Sequence, residues 1–184
     1  MLKKVGLVIA LTVFGSGAFA ASKGGFYVSG AIGSADADDR IGSVAVDDSD
    51  TGYQLLLGFD IFSHFSIEGG YVDFGEAEAS VPTLGLRTRA ETDGAVIGSR
   101  YQYEFADHVF FQARAGVFLW DIEANAASGA NIVSVNNDGT DLYYGLGVRY
   151  DFDDHWGGSV DWTRHEADLD IDFFAVSLYY YFDF

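Results

Sequence analysis

The chain has 184 residues, no cysteine, and 28 acidic against 10 basic residues, which give a formal net charge of −18 at pH 7. This charge disfavours nucleic acid and anionic membrane surfaces as electrostatic partners, and the absence of cysteine excludes a disulfide framework. Hydrophobic residues make up 49% and aromatic residues 16% of the chain, which fits both a soluble β domain and a membrane barrel.

The first 20 residues have the three parts of a secretory signal peptide. Lys3 and Lys4 give a positive start, residues 5–14 are mostly apolar, and Ala18-Phe19-Ala20 supplies the small residues of a cleavage site. The apolar run has roughly 10 residues, whereas a membrane-spanning helix needs about 20. We therefore predict a cleaved signal peptide at 1–20 and one domain at 21–184, in which no apolar run is long enough for a transmembrane helix.

The domain alternates apolar and polar residues with a period of two, which predicts β-strands. Alternate residues from Tyr53 to Phe59 are apolar, and so are alternate residues from Phe174 to Phe184. Apart from Gln54 and Leu56, their neighbours are charged, small or tyrosine residues. Glycine on the second face weakens a strand that faces water but makes room inside a narrow barrel. Strands are predicted at 25–33, 51–60, 65–75, 94–105, 109–123, 140–152, 156–165 and 171–184.

Three short polar breaks resemble one another, and each contains a histidine. His64, His108 and His155 are 44 and then 47 residues apart, which fits tight turns joining strands of about 10 residues. Four longer connections, at 34–50, 76–93, 124–139 and 166–170, alternate with these turns. The predicted fold is all-β, an eight-stranded antiparallel up-and-down transmembrane β-barrel, because closure leaves no sheet edge exposed to lipid.

The last strand carries aromatic residues at alternate positions up to the final residue of the chain. Tyr180, Phe182 and Phe184 resemble the signal that the outer-membrane barrel assembly machinery reads. The alternative is a buried last strand of a soluble protein. We predict that these three residues act as the assembly signal.

Four segments resemble, in their order and spacing, the strands of the OmpA-like transmembrane barrels, a family that includes small porin-like outer-membrane proteins. They are Gly52-Tyr53-Gln54, residues 66–75, residues 144–150 and Val160-Asp161-Trp162, and the resemblance covers 25–184. It implies export through the periplasm to the outer membrane of a Gram-negative cell. It also implies outer-membrane lipids, lipopolysaccharide and the barrel assembly machinery as partners.

The polar face predicts a charged network in the barrel interior. If the apolar face meets lipid, five charged residues point inward at similar depth, since each lies about 4 to 7 residues from a tight turn. Charges in so narrow a lumen should pair. The family resemblance implies such a network and matches Glu68 and Arg100 to two of its positions. It departs at Arg149, where the family example has an acid, and at Ser159, where it has a base. The predicted network comprises Glu68, Arg100, Arg114, Arg149 and Asp161.

No catalytic, metal-binding or cofactor-binding residues are predicted. His64-Phe65-Ser66 superficially resembles the His-x-Ser of outer-membrane lipid A deacylases, but it lies at a tight turn and lacks evident companion residues. His165 and Glu166 lack an obvious nucleophile and are interpreted as a loop histidine beside an acid. The acidic connection 34–50 supplies oxygen ligands but no EF-hand spacing.

Three functions fit these features. The first is a structural barrel that contributes to envelope integrity and displays loops outside the cell. The second is a small diffusion channel, in which the lumen network gates a pore instead of filling it. The third is a surface adhesin or binding protein that uses its acidic loops to hold an extracellular ligand.

Overall fold

The structure, a computed structural model, describes residues 25–41, 44–81, 86–128, 131–166 and 170–182. The predicted signal peptide and Phe184 lie outside these residues. No helix in the described ranges is long and apolar enough to cross a membrane. Eight strands are present: β1 Phe26–Ile41, β2 Val44–Phe62, β3 Phe65–Val81, β4 Leu86–Ala106, β5 Val109–Ser128, β6 Asn131–Asp151, β7 Trp156–His165 and β8 Asp170–Tyr181.

These strands form a closed antiparallel barrel in which each strand pairs with the next and β8 pairs with β1. The predicted eight-stranded up-and-down barrel is confirmed. Successive side chains alternate between the outside and the inside, as the period of two requires. Tyr53, Leu55 and Leu57 are 56%, 57% and 39% exposed on the outer face, whereas the intervening Leu56 is 2% exposed in the interior.

Three predicted loops are largely strand. The connections expected at 34–50, 76–93 and 124–139 are continued β-ladders, and β4 and β6 reach 21 residues each. Asp, Asn and Gly are poor strand formers, but the two arms of a hairpin satisfy each other's backbone groups at every step. A transmembrane strand needs about 9–11 residues. The β1–β2, β3–β4 and β5–β6 hairpins therefore project beyond a bilayer at one end of the barrel, here called the hairpin end.

The opposite end, here called the short-turn end, carries the three predicted tight turns. Residues 63–64 and 107–108 form two of them, and residues 152–155 form the third. His108 has a φ of 62°, the left-handed conformation of a tight turn. In the third turn Asp153 Oδ1 accepts the backbone N–H groups of His155 at 2.7 Å and Trp156 at 2.8 Å. These two hydrogen bonds lower the pKa of the Asp153 carboxyl.

Candidate functional site: the barrel interior

The structure places all five charged residues of the predicted network inside the barrel. Each comes from a different strand, from β3 to β7, because each occupies an inward position of the period-two pattern. Four of them meet in one cluster, and Arg149 belongs to a second cluster nearer the short-turn end. Their exposures are 1% for Glu68, 0% for Arg100, 6% for Arg114, 3% for Arg149 and 5% for Asp161.

The first cluster, here called the middle layer, crosses the lumen from wall to wall. Arg114 Nε lies 3.0 Å from Glu68 Oε2, and Arg114 Nη1 lies 3.2 Å from Asp161 Oδ1. Arg100 Nε lies 3.7 Å from Glu68 Oε1. Glu68 is on β3 and Asp161 is on β7, four strands away in a ring of eight. Arg114 therefore links opposite walls of the barrel through two carboxylates.

Asp60 completes the middle layer, although it is not among the predicted network residues. Its Oδ1 lies 3.4 Å from Arg100 Nη2 and also accepts the Ser66 hydroxyl. The signal was present, because Asp60 shares the inward face of its strand with Gly58 and Leu56. Because Asp60 lies close to the turn at 63–64, the sequence did not indicate a role in the network. Asp60 joins it because the long Arg100 side chain reaches its carboxylate.

Two tyrosines of the middle layer also went unpredicted. The Tyr27 hydroxyl donates to Glu68 Oε1 at 2.6 Å, and the Arg100 guanidinium lies 4.3 Å from the centre of the Tyr27 ring. The Tyr179 hydroxyl accepts hydrogen bonds from Arg114 and, at 3.2 Å, from Gln112 Nε2. An aromatic ring with a polar tip fills volume and joins the network at once.

Arg149 lies in what we call the turn-side layer. Its Nε is 2.9 Å from Asp151 Oδ1, its Nη1 donates to Gln102 Oε1 at 2.9 Å, and it also donates to the Tyr181 hydroxyl. Gln102 Nε2 in turn donates to the backbone carbonyl of Ser63 at 3.2 Å, which places the layer at the short-turn end. Gln102 on β4 and Tyr181 on β8 are again opposite strands.

On the hairpin-end side of the middle layer, aromatic side chains pack across the lumen. His165 stacks on Tyr143, with centroids 5.3 Å apart, and meets Phe74 at 4.8 Å and Phe118 at 5.1 Å edge to face. Phe74 also packs against Phe173 at 5.6 Å. These five rings form the aromatic layer. Its Phe74–His165 contact joins β3 to β7, the same opposite walls that Arg114 links below.

His165 was interpreted as a loop histidine, and this interpretation is wrong. It is the last residue of β7 and is 0% exposed. Neither ring nitrogen has a hydrogen-bond partner among the residues that the structure describes. The burial of His165 was missed because we expected the end of β7 to meet solvent. The inward positions of β7 instead continue to its last residue.

Replacing His165 with leucine should raise the free energy of unfolding by about 1 kcal/mol, because a side chain of similar volume removes two buried polar atoms without partners. Urea denaturation of the lipid-embedded protein measures the change. His64→Leu, at an exposed turn position, is the control and should leave the midpoint unchanged. A clear loss of stability in His165→Leu alone would mean that the ring contacts or hydrogen bonds of the imidazole outweigh the cost of burying its nitrogens.

The His64-Phe65-Ser66 segment does not form a dyad. The His64 ring stacks on Tyr101 at 6.3 Å on the outer side of the wall, whereas the Ser66 hydroxyl points inward to Asp60. Residues two apart on a strand share a face, but His64 belongs to the turn. Within the described ranges no three His, Asp or Glu side chains are grouped so that they could hold a metal ion.

Comparison with known proteins identifies the barrel. A family model described as "Outer membrane protein beta-barrel domain" matches residues 6–182. A comparison with curated protein sequences finds no match. Among solved structures, the chain is similar to Ail, the attachment invasion locus protein of Yersinia pestis, in complex with the heparin analogue sucrose octasulfate. The TM-score is 0.60 at 14% identity, covering 86% of this chain and 99% of that chain.

Two further structures show the same fold. Neisserial surface protein A matches with a TM-score of 0.59 at 12% identity, covering 85% of this chain and 97% of that chain. The N-terminal β-barrel domain of OprF from Pseudomonas aeruginosa matches with a TM-score of 0.54 at 10% identity, covering 86% of this chain and 99% of that chain. At these identities the similarity concerns the fold alone.

Proposed function

Because this chain belongs to the outer membrane protein β-barrel domain family, a family of the Gram-negative outer membrane, we propose that it is a closed structural barrel that supports the envelope and carries long hairpins. One observation carries this proposal. Each of the three layers in the lumen joins strands on opposite walls: Arg149 links Gln102 to Tyr181, Arg114 links Glu68 to Asp161, and Phe74 meets His165.

The three layers favour a filled lumen over a diffusion channel. A water-filled pore needs a continuous path, whereas here ion pairs, hydrogen bonds and ring contacts cross the lumen at three successive depths. An eight-stranded barrel has an interior only just wide enough for its side chains. The layers would also brace the wall from inside, so that the lumen serves stability and not transport.

Planar-bilayer recording tests this proposal. The purified protein should give no stepwise conductance, because side-chain contacts join opposite walls of the lumen in all three layers. A heat-denatured sample of the same preparation controls for detergent leaks. Reproducible single-channel steps that require the folded protein would overturn the closed barrel and favour the gated channel.

We further propose that the short-turn end faces the periplasm and the hairpin end faces the outside, the arrangement typical of such barrels. The chain has no cysteine, so a single introduced cysteine is its one thiol. Cysteine at Ser49, exposed at the hairpin end, should react with an impermeant reagent on intact cells, whereas cysteine at Ser63, exposed in a turn, should react only after lysis. The reverse pattern would invert the topology.

A binding function of the hairpins is a second candidate, favoured by their projection beyond the bilayer. The known neighbour Ail is in complex with a heparin analogue, a sulfated ligand. The segment 34–50 of this chain contains six aspartates and one arginine. Coulomb repulsion therefore argues against a polyanion here, and a basic ligand is the better match.

Our proposal also covers export and assembly. We propose that the chain reaches the outer membrane through the periplasm, directed by residues 1–20, and that the assembly machinery reads the aromatic end of β8. Tyr180 packs against Trp156 at 4.9 Å and Phe182 at 5.0 Å on the outer wall. Trp156 and Phe182 are exposed and Tyr180 is half-buried. This partly exposed aromatic surface, where β7 begins and β8 ends, supports the role proposed for Tyr180, Phe182 and Phe184.

A further inference from the structure

The outer wall contains an apolar groove centred on Gly30. Gly30 points outward between Leu55 on β2 and Leu178 on β8, and Leu178 is paired in turn with Gly158 on β7. The open space above Gly30, bordered by the Phe152 ring that covers Gly158, belongs to a depression of about 690 Å³. A Cβ atom on Gly30 would meet no atom within 4 Å. The side chains beside it, including Ile32 at 52% and Leu55 at 57%, are exposed.

The groove has the shape of a hydrocarbon-chain site. It runs across five neighbouring strands, from Phe152 and Gly158 at the short-turn end to Tyr53, Tyr71 and Asp73 towards the hairpin end. Four strand spacings of about 4.8 Å make it roughly 19 Å long. Apolar side chains dominate its walls, and one carboxylate stands at its end.

That carboxylate is held in position and flanked by aromatic rings. Asp73 Oδ1 accepts the backbone N–H of Gly75 at 2.8 Å, and Gly75 has a φ of 77° where the β3–β4 register shifts. Tyr53 is directly paired with Asp73 across the sheet. Tyr71 lies two residues before it on the same face. A carboxylate beside tyrosine rings suits an ammonium group, through charge and through the faces of the rings.

The charges around the Asp73 end of the groove also favour a cation. Asp73 is directly paired with Asp93, Asp93 with Asp121, and Asp121 with Asp138, so four carboxylate residues stand in one outward row. Arg164, on the same outer wall, is engaged by Asp170 at 2.8 Å and Asp172 at 3.1 Å. An anionic head group would be repelled along this row, whereas a protonated amine would be attracted.

We propose that this groove binds one acyl chain of a lipid whose head group carries a protonated amine, with the amine placed at Asp73. The inference rests on the membrane-facing outer wall and is independent of the closed lumen. A conducting barrel could still bind the lipid, and a closed barrel could lack it.

Native mass spectrometry of the folded barrel in nonionic detergent tests the site with two probes of identical acyl chains, phosphatidylethanolamine and phosphatidylglycerol. The wild type should prefer phosphatidylethanolamine by about fivefold, equivalent to one exposed cation contact. Gly30→Leu should fill the groove and remove most binding of both lipids. Gly69→Leu is its matched control, because Gly69 also faces outward and an added Cβ would lie 3.7 Å from its nearest neighbour, Val96 O.

Two substitutions in the acidic row test the contact between the head group and Asp73. Asp73→Asn should abolish the preference for phosphatidylethanolamine while acyl-chain binding remains. Asp121→Asn removes an equal charge outside the groove, two strands away from Asp73. This variant should keep the preference for phosphatidylethanolamine. The proposal fails if the wild type shows no preference, if Gly30→Leu binds lipid as well as Gly69→Leu does, or if the two aspartate variants behave alike.

Discussion

Glu68→Ala is expected to lower the free energy of unfolding by about 3 kcal/mol, the scale on which removal of one partner from a buried ion pair destabilises a protein. The Glu68 carboxylate accepts the Tyr27 hydroxyl at 2.6 Å and lies 3.0 Å from Arg114 Nε and 3.7 Å from Arg100 Nε. The substitution therefore removes a partner from three buried groups at once. Urea titration of the lipid-embedded barrel measures the loss.

The structure moderates this cost, because each arginine keeps a second carboxylate. Arg100 retains Asp60 at 3.4 Å and Arg114 retains Asp161 at 3.2 Å. Glu68→Gln separates charge from packing and should cost less than Glu68→Ala. Asp121 is an exposed carboxylate on the outer wall, and Asp121→Ala should change the free energy of unfolding by no more than a few tenths of a kcal/mol.

Conductance of Glu68→Ala distinguishes a filled lumen from a gate. Because the turn-side and aromatic layers stay in place, we expect the variant to remain closed in planar bilayers even though it unfolds earlier. Opening of a stable pore by this single change would show that the middle layer alone blocks conduction. An unchanged unfolding midpoint in Glu68→Ala would contradict the buried position of Glu68.

Gly116→Ala is expected to prevent assembly or to destabilise the barrel by about 3 kcal/mol or more, since overpacking against backbone cannot relax easily. Gly116 is directly paired with Gly98, and the Tyr143 ring lies over the pair. A Cβ at Gly116 would lie 2.3 Å from the Ile97 carbonyl oxygen and 2.6 Å from Tyr143 Cε1. Heat-modifiable migration in detergent gels, which distinguishes folded from unfolded barrel, measures the loss.

Gly69→Ala is the matched control for Gly116→Ala. Both residues are strand glycines, but Gly69 faces outward, where a Cβ meets only Val96 O at the ordinary distance of 3.7 Å. The control should therefore migrate as a folded barrel with a nearly unchanged midpoint. Equal stability of the two variants would show that Tyr143 does not occupy the space left by the glycine pair.

The inward face could be predicted from sequence because strand parity is a local property. A period of two places every second residue on one side of the sheet, so the inward positions of Glu68, Arg114 and Asp161 follow from the apolar neighbours of each residue. The partners of each charge could not be predicted in this way. Arg149 shares the parity of the others but pairs with Asp151 and Gln102 in another layer, because the pairing depends on which walls the closed barrel sets opposite each other.

The sequence by itself determined the closed eight-stranded barrel, its outward apolar face and its three tight turns, since all of these depend on period and spacing. Only the tertiary structure decided that 34–50, 76–93 and 124–139 continue as paired strands, because ladder hydrogen bonds between hairpin arms override the weak strand preference of Asp, Asn and Gly. It also decided that His165 lies in an aromatic layer and that Asp60 joins the charged network. Contacts across a lumen join residues far apart in the chain, and no local pattern encodes them.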